Sequence, residues 1–142
     1  MARIRDFENN IAATQVLDPA VITTDTNCAS VDTQNYESVA FYAMVGASGD
    51  TLGVGLLIEL KLEVSSDDST FAAPNAGEIT HEVSKGIFAV IDGAADDDTL
   101  YMTEYRGSKR YVRPVIDMTG THTNGTPIAI LAMRSGKNVN PV

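Results

Sequence analysis

At 142 residues, with 44% hydrophobic and 20% charged side chains, the chain has the size and composition of one globular domain, which excludes a disordered, collagen-like or mucin-like polymer. No apolar run approaches the roughly 18 to 20 residues that cross a bilayer, and Met1-Ala2-Arg3-Ile4-Arg5-Asp6 lacks the apolar stretch of a signal peptide, so a soluble protein with no membrane partner is expected. The formal charge of -9 argues against nucleic acid, whose phosphates need a concentrated positive surface.

Residues 1–20 read as an N-terminal arm ahead of a β-sandwich domain over 21–142. Asn10 to Leu17 fits a short helix stopped at Asp18-Pro19, or an extended segment, equally well. Within the arm, Arg3, Ile4, Arg5 and Phe7 combine positive charge and apolar surface, opposite in sign to the acidic body behind them. They are candidate partner-binding residues, because such a segment gains little on its own domain and orders on a neighbour. A first strand is expected around Val21 to Thr24. Cys28 is the only cysteine, which rules out an intrachain disulfide and suits a small buried filler in a reducing compartment.

Glu37 to Val45 is apolar on both parities and reads as a strand covered on both faces or lying at a subunit contact. Gly46 to Gly55 is a glycine-rich loop. Ile58 to Val64 alternates apolar and charged residues, the pattern of a half-buried strand. Asp67-Asp68-Ser69 then supplies turn formers and Thr70 to Ala72 resumes, suggesting a hairpin. Glu78 to Val83 fits a short strand or a helical turn. Gly86 to Ile91 is a β-rich run closed by Asp92-Gly93, and Asp96-Asp97-Asp98 precedes Thr99 to Tyr105. Lys109 to Met118 continues the sheet, with Pro114 pointing to an edge or bulge because it cannot donate a ladder hydrogen bond. Asn124-Gly125 is a favoured tight-turn pair before Ile128 to Met133, again apolar on both parities. About eight short strands with regular turn signals predict an all-β fold, an antiparallel jelly-roll-like β-sandwich.

The charge is unevenly spread. Residues 1–105 hold 18 acids and four bases, whereas residues 106–142 hold six bases and one acid, Asp117. Arg106, Lys109, Arg110 and Arg113 concentrate the basic excess, suited to an acidic neighbour within the fold or on another subunit; a charge-protected strand edge is the commoner use. His81 and His122 share no metal-ligand spacing, and His122 sits in a polar turn expected to face solvent. Neither a Gly-x-Ser-x-Gly elbow nor a phosphate loop is present. Asp92, Asp96, Asp97 and Asp98 offer hard oxygens without EF-hand spacing, and a solvated turn is preferred over calcium. Tyr101, Tyr105 and Tyr111 would form a sugar-stacking patch if they shared one face, in a chain that has no tryptophan. No enzymatic role, metal or cofactor is expected.

An ordered set remains: Ser30-Val31-Asp32 with Tyr36-Glu37-Ser38-Val39, Ile58-Glu59-Leu60-Lys61-Leu62-Glu63 running into Ser66-Asp67-Asp68, Lys109-Arg110-Tyr111-Val112-Arg113, and Gly120-Thr121-His122-Thr123-Asn124-Gly125. Over residues 30–134 this set resembles the capsid decoration, or cement, proteins of tailed bacteriophages. The resemblance implies a β-sandwich structural protein on the capsid exterior of the virion, made in the host bacterial cytoplasm. It also implies the major capsid protein as partner and a homotrimer as the assembly. A carbohydrate-binding sandwich module for host-surface recognition is the main alternative, and a sandwich hydrolase the third.

Overall fold

The computed structural model describes residues 7–136. Phe7–Asn10 forms one helical turn, α1, and nine strands follow among the described residues: β1 Ile11–Ile22, β2 Thr26–Asn27, β3 Val31–Asp32, β4 Ser38–Val45, β5 Leu57–Ser65, β6 Ile87–Ile91, β7 Thr99–Tyr105, β8 Tyr111–Thr119 and β9 Thr126–Ser135. They form two antiparallel sheets, β1-β9-β4-β7 and β2-β8-β5-β6, with β3 also paired to β8. Counting β2 and β3 as one interrupted strand, the eight strands run 1-8-3-6 in one sheet and 2-7-4-5 in the other. That is the double Greek key of a jelly roll.

Alternation along the strands builds the core. Val39, Phe41, Ala43 and Val45 of β4 point inward, with Ile128, Ile130 and Ala132 of β9, and meet Ile58, Leu60, Leu62 and Val64 of β5 from the facing sheet. Cys28 is buried among them, as a small filler should be. Gly86 lets the chain enter β6: its φ is 84°, and an added Cβ would stand 2.8 Å from the Leu62 carbonyl oxygen.

Four local expectations change. The arm expected over 1–20 is sheet from Ile11 onward, because β1 pairs with β9 across its whole length. Two register shifts, between Gln15 and Leu17 and between Leu17 and Ala20, absorb Asp18-Pro19 without ending the strand. Pro114 lies in β8, which has neighbours on both sides, opposite Leu62 of β5. Its carbonyl accepts the Cys28 N–H at 3.0 Å, while its missing donor falls in the gap between β2 and β3, where the ladder is already broken. The hairpin return at Thr70 to Ala72 shrinks to one bridge, Val64 to Ala72. His122 is buried rather than solvent-facing: its Nε2 lies 3.0 Å from the Thr119 carbonyl and its Nδ1 4.0 Å from the Asp50 carboxylate. Asp50 reaches in from the β4–β5 loop and accepts the N–H groups of Asn124 and Gly125, which pulls the Asn124-Gly125 turn over the histidine.

Candidate interaction surface

Strand periodicity leaves each sheet an outer face, and the two faces differ in chemistry. On the β2-β8-β5-β6 sheet, the outward side chains at the centre include ion pairs made within the chain, beside the apolar Val90 and Val115. Lys61 Nζ meets Asp117 Oδ2 at 3.0 Å, and Arg113 Nη2 meets Glu63 Oε2 at 2.7 Å. The hydrogen bond from Lys61 to Asp117 raises the lysine pKa more than any other contact.

The outer face of the β1-β9-β4-β7 sheet is apolar over β9, β4 and β7, with the polar Gln15 and Asp18 at its β1 edge. The register sets three rows across β9, β4 and β7: Met133, Ala40 and Glu104; Leu131, Tyr42 and Met102; Ala129, Met44 and Leu100. Of these nine side chains one is charged, Glu104, at a corner. Leu100 is 59% exposed, Met44 48% and Met102 44%, and Val21 of β1 adds a fourth large exposed apolar group at 57%. Both strands read as apolar on both parities, β4 and β9, lie side by side at the centre of this sheet. Their second apolar parity is therefore this face, and within the described chain nothing covers it.

The basic residues singled out in the sequence do not converge. Arg110 makes a two-pronged contact with Asp32, Nε to Oδ1 at 2.9 Å and Nη2 to Oδ2 at 2.8 Å, which holds the Asp32 carboxyl below the usual carboxylate range. Arg113 pairs with Glu63 and stacks on Phe71. Arg106 contacts Glu104 at 3.3 Å, and Lys109 donates to the Ser66 hydroxyl at 3.1 Å. All four contacts are internal. Arg3, Ile4 and Arg5 lie outside the described residues, and Phe7 opens α1.

The three tyrosines do not form one patch either: Tyr105 points into the core, Tyr111 lies under Arg110 on the opposite sheet, and Tyr101 donates to the Asp96 carbonyl. No group of three His, Cys, Asp or Glu side chains among the described residues is placed to hold a metal ion. In the acidic loop, Asp96 and Asp97 instead accept backbone N–H groups, from Asp92 and Ser48. No helix among the described residues is long and apolar enough to cross a membrane.

Comparison with solved structures gives this architecture a counterpart. It superposes on the SPBc2 prophage-derived protein YomS. The TM-score is 0.58 with 7% identity, over 89% of this chain and 94% of YomS, a likeness of fold. Weaker likenesses extend to a Bacillus endospore appendage protein (TM-score 0.42, 13% identity, 95% of this chain and 96% of that one) and to a chain of infectious bursal disease virus Gt strain (0.40, 12%, 92% and 34%). At those scores neither establishes a shared fold. No family model matches the chain, and no curated protein is detectably similar in sequence. Sequence missed the apolar face as a unit because it is assembled from residues about 90 positions apart, although apolarity on both parities in β4 and β9 was its local trace.

Proposed function

We propose that this chain is a structural component of a bacteriophage virion, a decoration protein that binds the outside of the capsid and bridges neighbouring major capsid subunits as a homotrimer. The observation that carries the proposal is the contrast between the outer faces, one laced with internal ion pairs and the other apolar over three rows. A lone domain gains nothing from exposing Leu100, Met102, Met44 and Val21, whereas covering each is worth on the order of 1 kcal/mol at about 25 cal/mol per Å². The jelly roll shared in outline with a prophage-derived protein, and the resemblance to phage decoration proteins, support the same reading. Binding only to the assembled shell would convert association energy into shell stability by linkage.

Cosedimentation with purified phage heads tests the proposal. Wild-type protein should pellet with heads at saturable occupancy. The double variant Met44→Glu and Leu131→Glu, which alters only outward side chains, should keep the wild-type circular dichroism and melting and lose most of that occupancy. Undiminished occupancy would reject this face as the contact.

A further inference from the structure

Each sheet of an open sandwich has two edges, and an unpaired edge is a template for another strand unless it is blunted. Three of the four edges here are blunted. β1 carries two register shifts and Pro19. The β2–β3 edge is broken into two-residue pieces. β6 is only five residues long, and its first residue is taken up by the turn in which Val83 donates to the Ile87 carbonyl at 2.7 Å. On the fourth, β7, the protection covers only half. The Glu104 carbonyl accepts the Thr80 N–H at 3.0 Å, and the Glu104 N–H donates to the Thr80 hydroxyl at 2.9 Å, so Glu104 turns its backbone groups toward the free edge. By strand alternation Met102 and Leu100 do the same. Among the described residues no backbone partner meets them.

This open stretch borders a groove. A hollow of about 310 Å³ lies along the β7 edge, lined by Phe88 of β6, by Leu100, Tyr101 and Met102 of β7, and by His81. Outside it, β7 is bracketed by acids, Asp98 before its first residue and Glu104 near its last, the latter shared with Arg106 just beyond the strand. An occupant that fits would be extended, with an apolar side chain on the groove side and cations on the other. Ala2 to Asp6 has that pattern, with Ile4 between Arg3 and Arg5.

The same molecule cannot supply it. Ile11 shares a row with Ser135 and Ser38 at the far edge of the sheet, while Tyr101 lies opposite Ala43. A strand docked beside Tyr101 is about 25 Å from Ile11, given strand spacings near 4.8 Å and a rise near 3.3 Å per residue. With Phe7–Asn10 helical, Ile4 of the same chain stays within about 16 Å of Ile11.

We propose that β7 is completed by a second copy of this chain: residues 2–6 of one copy add as a strand along Thr99–Met102 of the next, Ile4 entering the groove between Tyr101 and Phe88. Arg3 and Arg5 then lie on the outer side, their stems over Leu100 and Met102 and their charges between Asp98 and Glu104. The contact is head-to-tail, which closes into a ring where the rotation between copies allows it and otherwise runs on as a filament; a ring of three rests on the reading above, while the strand exchange does not.

Cross-linking in solution without capsids separates the two ideas. Full-length Arg3→Cys and size-tagged Met102→Cys proteins, mixed and oxidised, should give a disulfide between the two species. Cross-links only between two Met102→Cys chains would mean β7-to-β7 pairing and would overturn the proposal, as would no cross-link at all. Deleting residues 2–6 should leave circular dichroism unchanged while sedimentation shifts from oligomer to monomer, with melting lowered only by the lost association, and Ile4→Asp should shift sedimentation part of the way. An oligomer that survives the deletion would equally overturn it.

Discussion

Arg113 and Glu63 stand directly opposite each other on β8 and β5, guanidinium to carboxylate at 2.7 Å, and the same guanidinium lies 4.0 Å from the centre of the Phe71 ring. A residue whose charge invites a partner is thus already matched inside its own sheet. Both side chains are about a quarter exposed, 23% and 22%, so the pair lies between a surface bridge and a buried one. Arg113→Ala is expected to cost about 1 kcal/mol, counting the lost stacking, and to lower melting by roughly 2 to 4 °C. It should leave head occupancy unchanged; a lost association with full stability would return Arg113 to the list of contact residues.

Leu60 and Ile58 are fully buried where the sheets meet. Leu60→Ala should lower unfolding free energy by about 2 to 5 kcal/mol, the transfer and cavity cost of a core leucine. Leu60→Asp or Ile58→Asp should abolish soluble expression, because an unpaired buried carboxylate costs several kcal/mol against a total of roughly 5 to 15. Urea melts and soluble yield read both, and a mild effect would contradict the packing described.

Burial pushes the Cys28 thiol up to about 12, with the nearby Arg113 charge opposing only in part. At pH 8 the folded protein should therefore react with a thiol reagent far more slowly than the urea-unfolded protein. Cys28→Ser should keep all binding properties with a small change in melting. Fast labelling of the native protein would show that the site opens.

Asp67 accepts the N–H groups of Thr70 and Ser69 and the Ser65 hydroxyl, and these bonds hold its carboxyl at about 2. The folded value lies below the unfolded one, near 3.9, so its stabilising effect is present above about pH 4 and is lost as pH falls toward 2. Asp50 and Asp32 are shifted in the same direction, by backbone and arginine hydrogen bonds. Acid titration of melting temperature should show a fall across pH 4 to 2, smaller in Asp67→Asn. An identical slope in that variant would remove Asp67 from the acid response.

The sequence by itself determined the β class and most of the strands. Alternation at Ile58 to Val64 and the runs at Glu37 to Val45, Thr99 to Tyr105 and Ile128 to Met133 all appear as strands within a residue or two, because side-chain period is a local property of the chain. It also marked β4 and β9 as strands needing cover on both sides. What it could not supply was pairing. Only the folded sheets brought β1 onto β9, although Asp18-Pro19 reads locally as a stop, since register shifts and long-range hydrogen bonds outweigh a local breaker. Burial of His122 was decided by Asp50, more than 70 residues away. The basic cluster was decided the same way: one-dimensional spacing gathers Arg106, Lys109, Arg110 and Arg113, while strand and loop geometry sends each to its own partner. Which face is free, and which edge is open, depends on what lies beside each strand, and neighbours across a sheet are set by topology rather than by sequence distance.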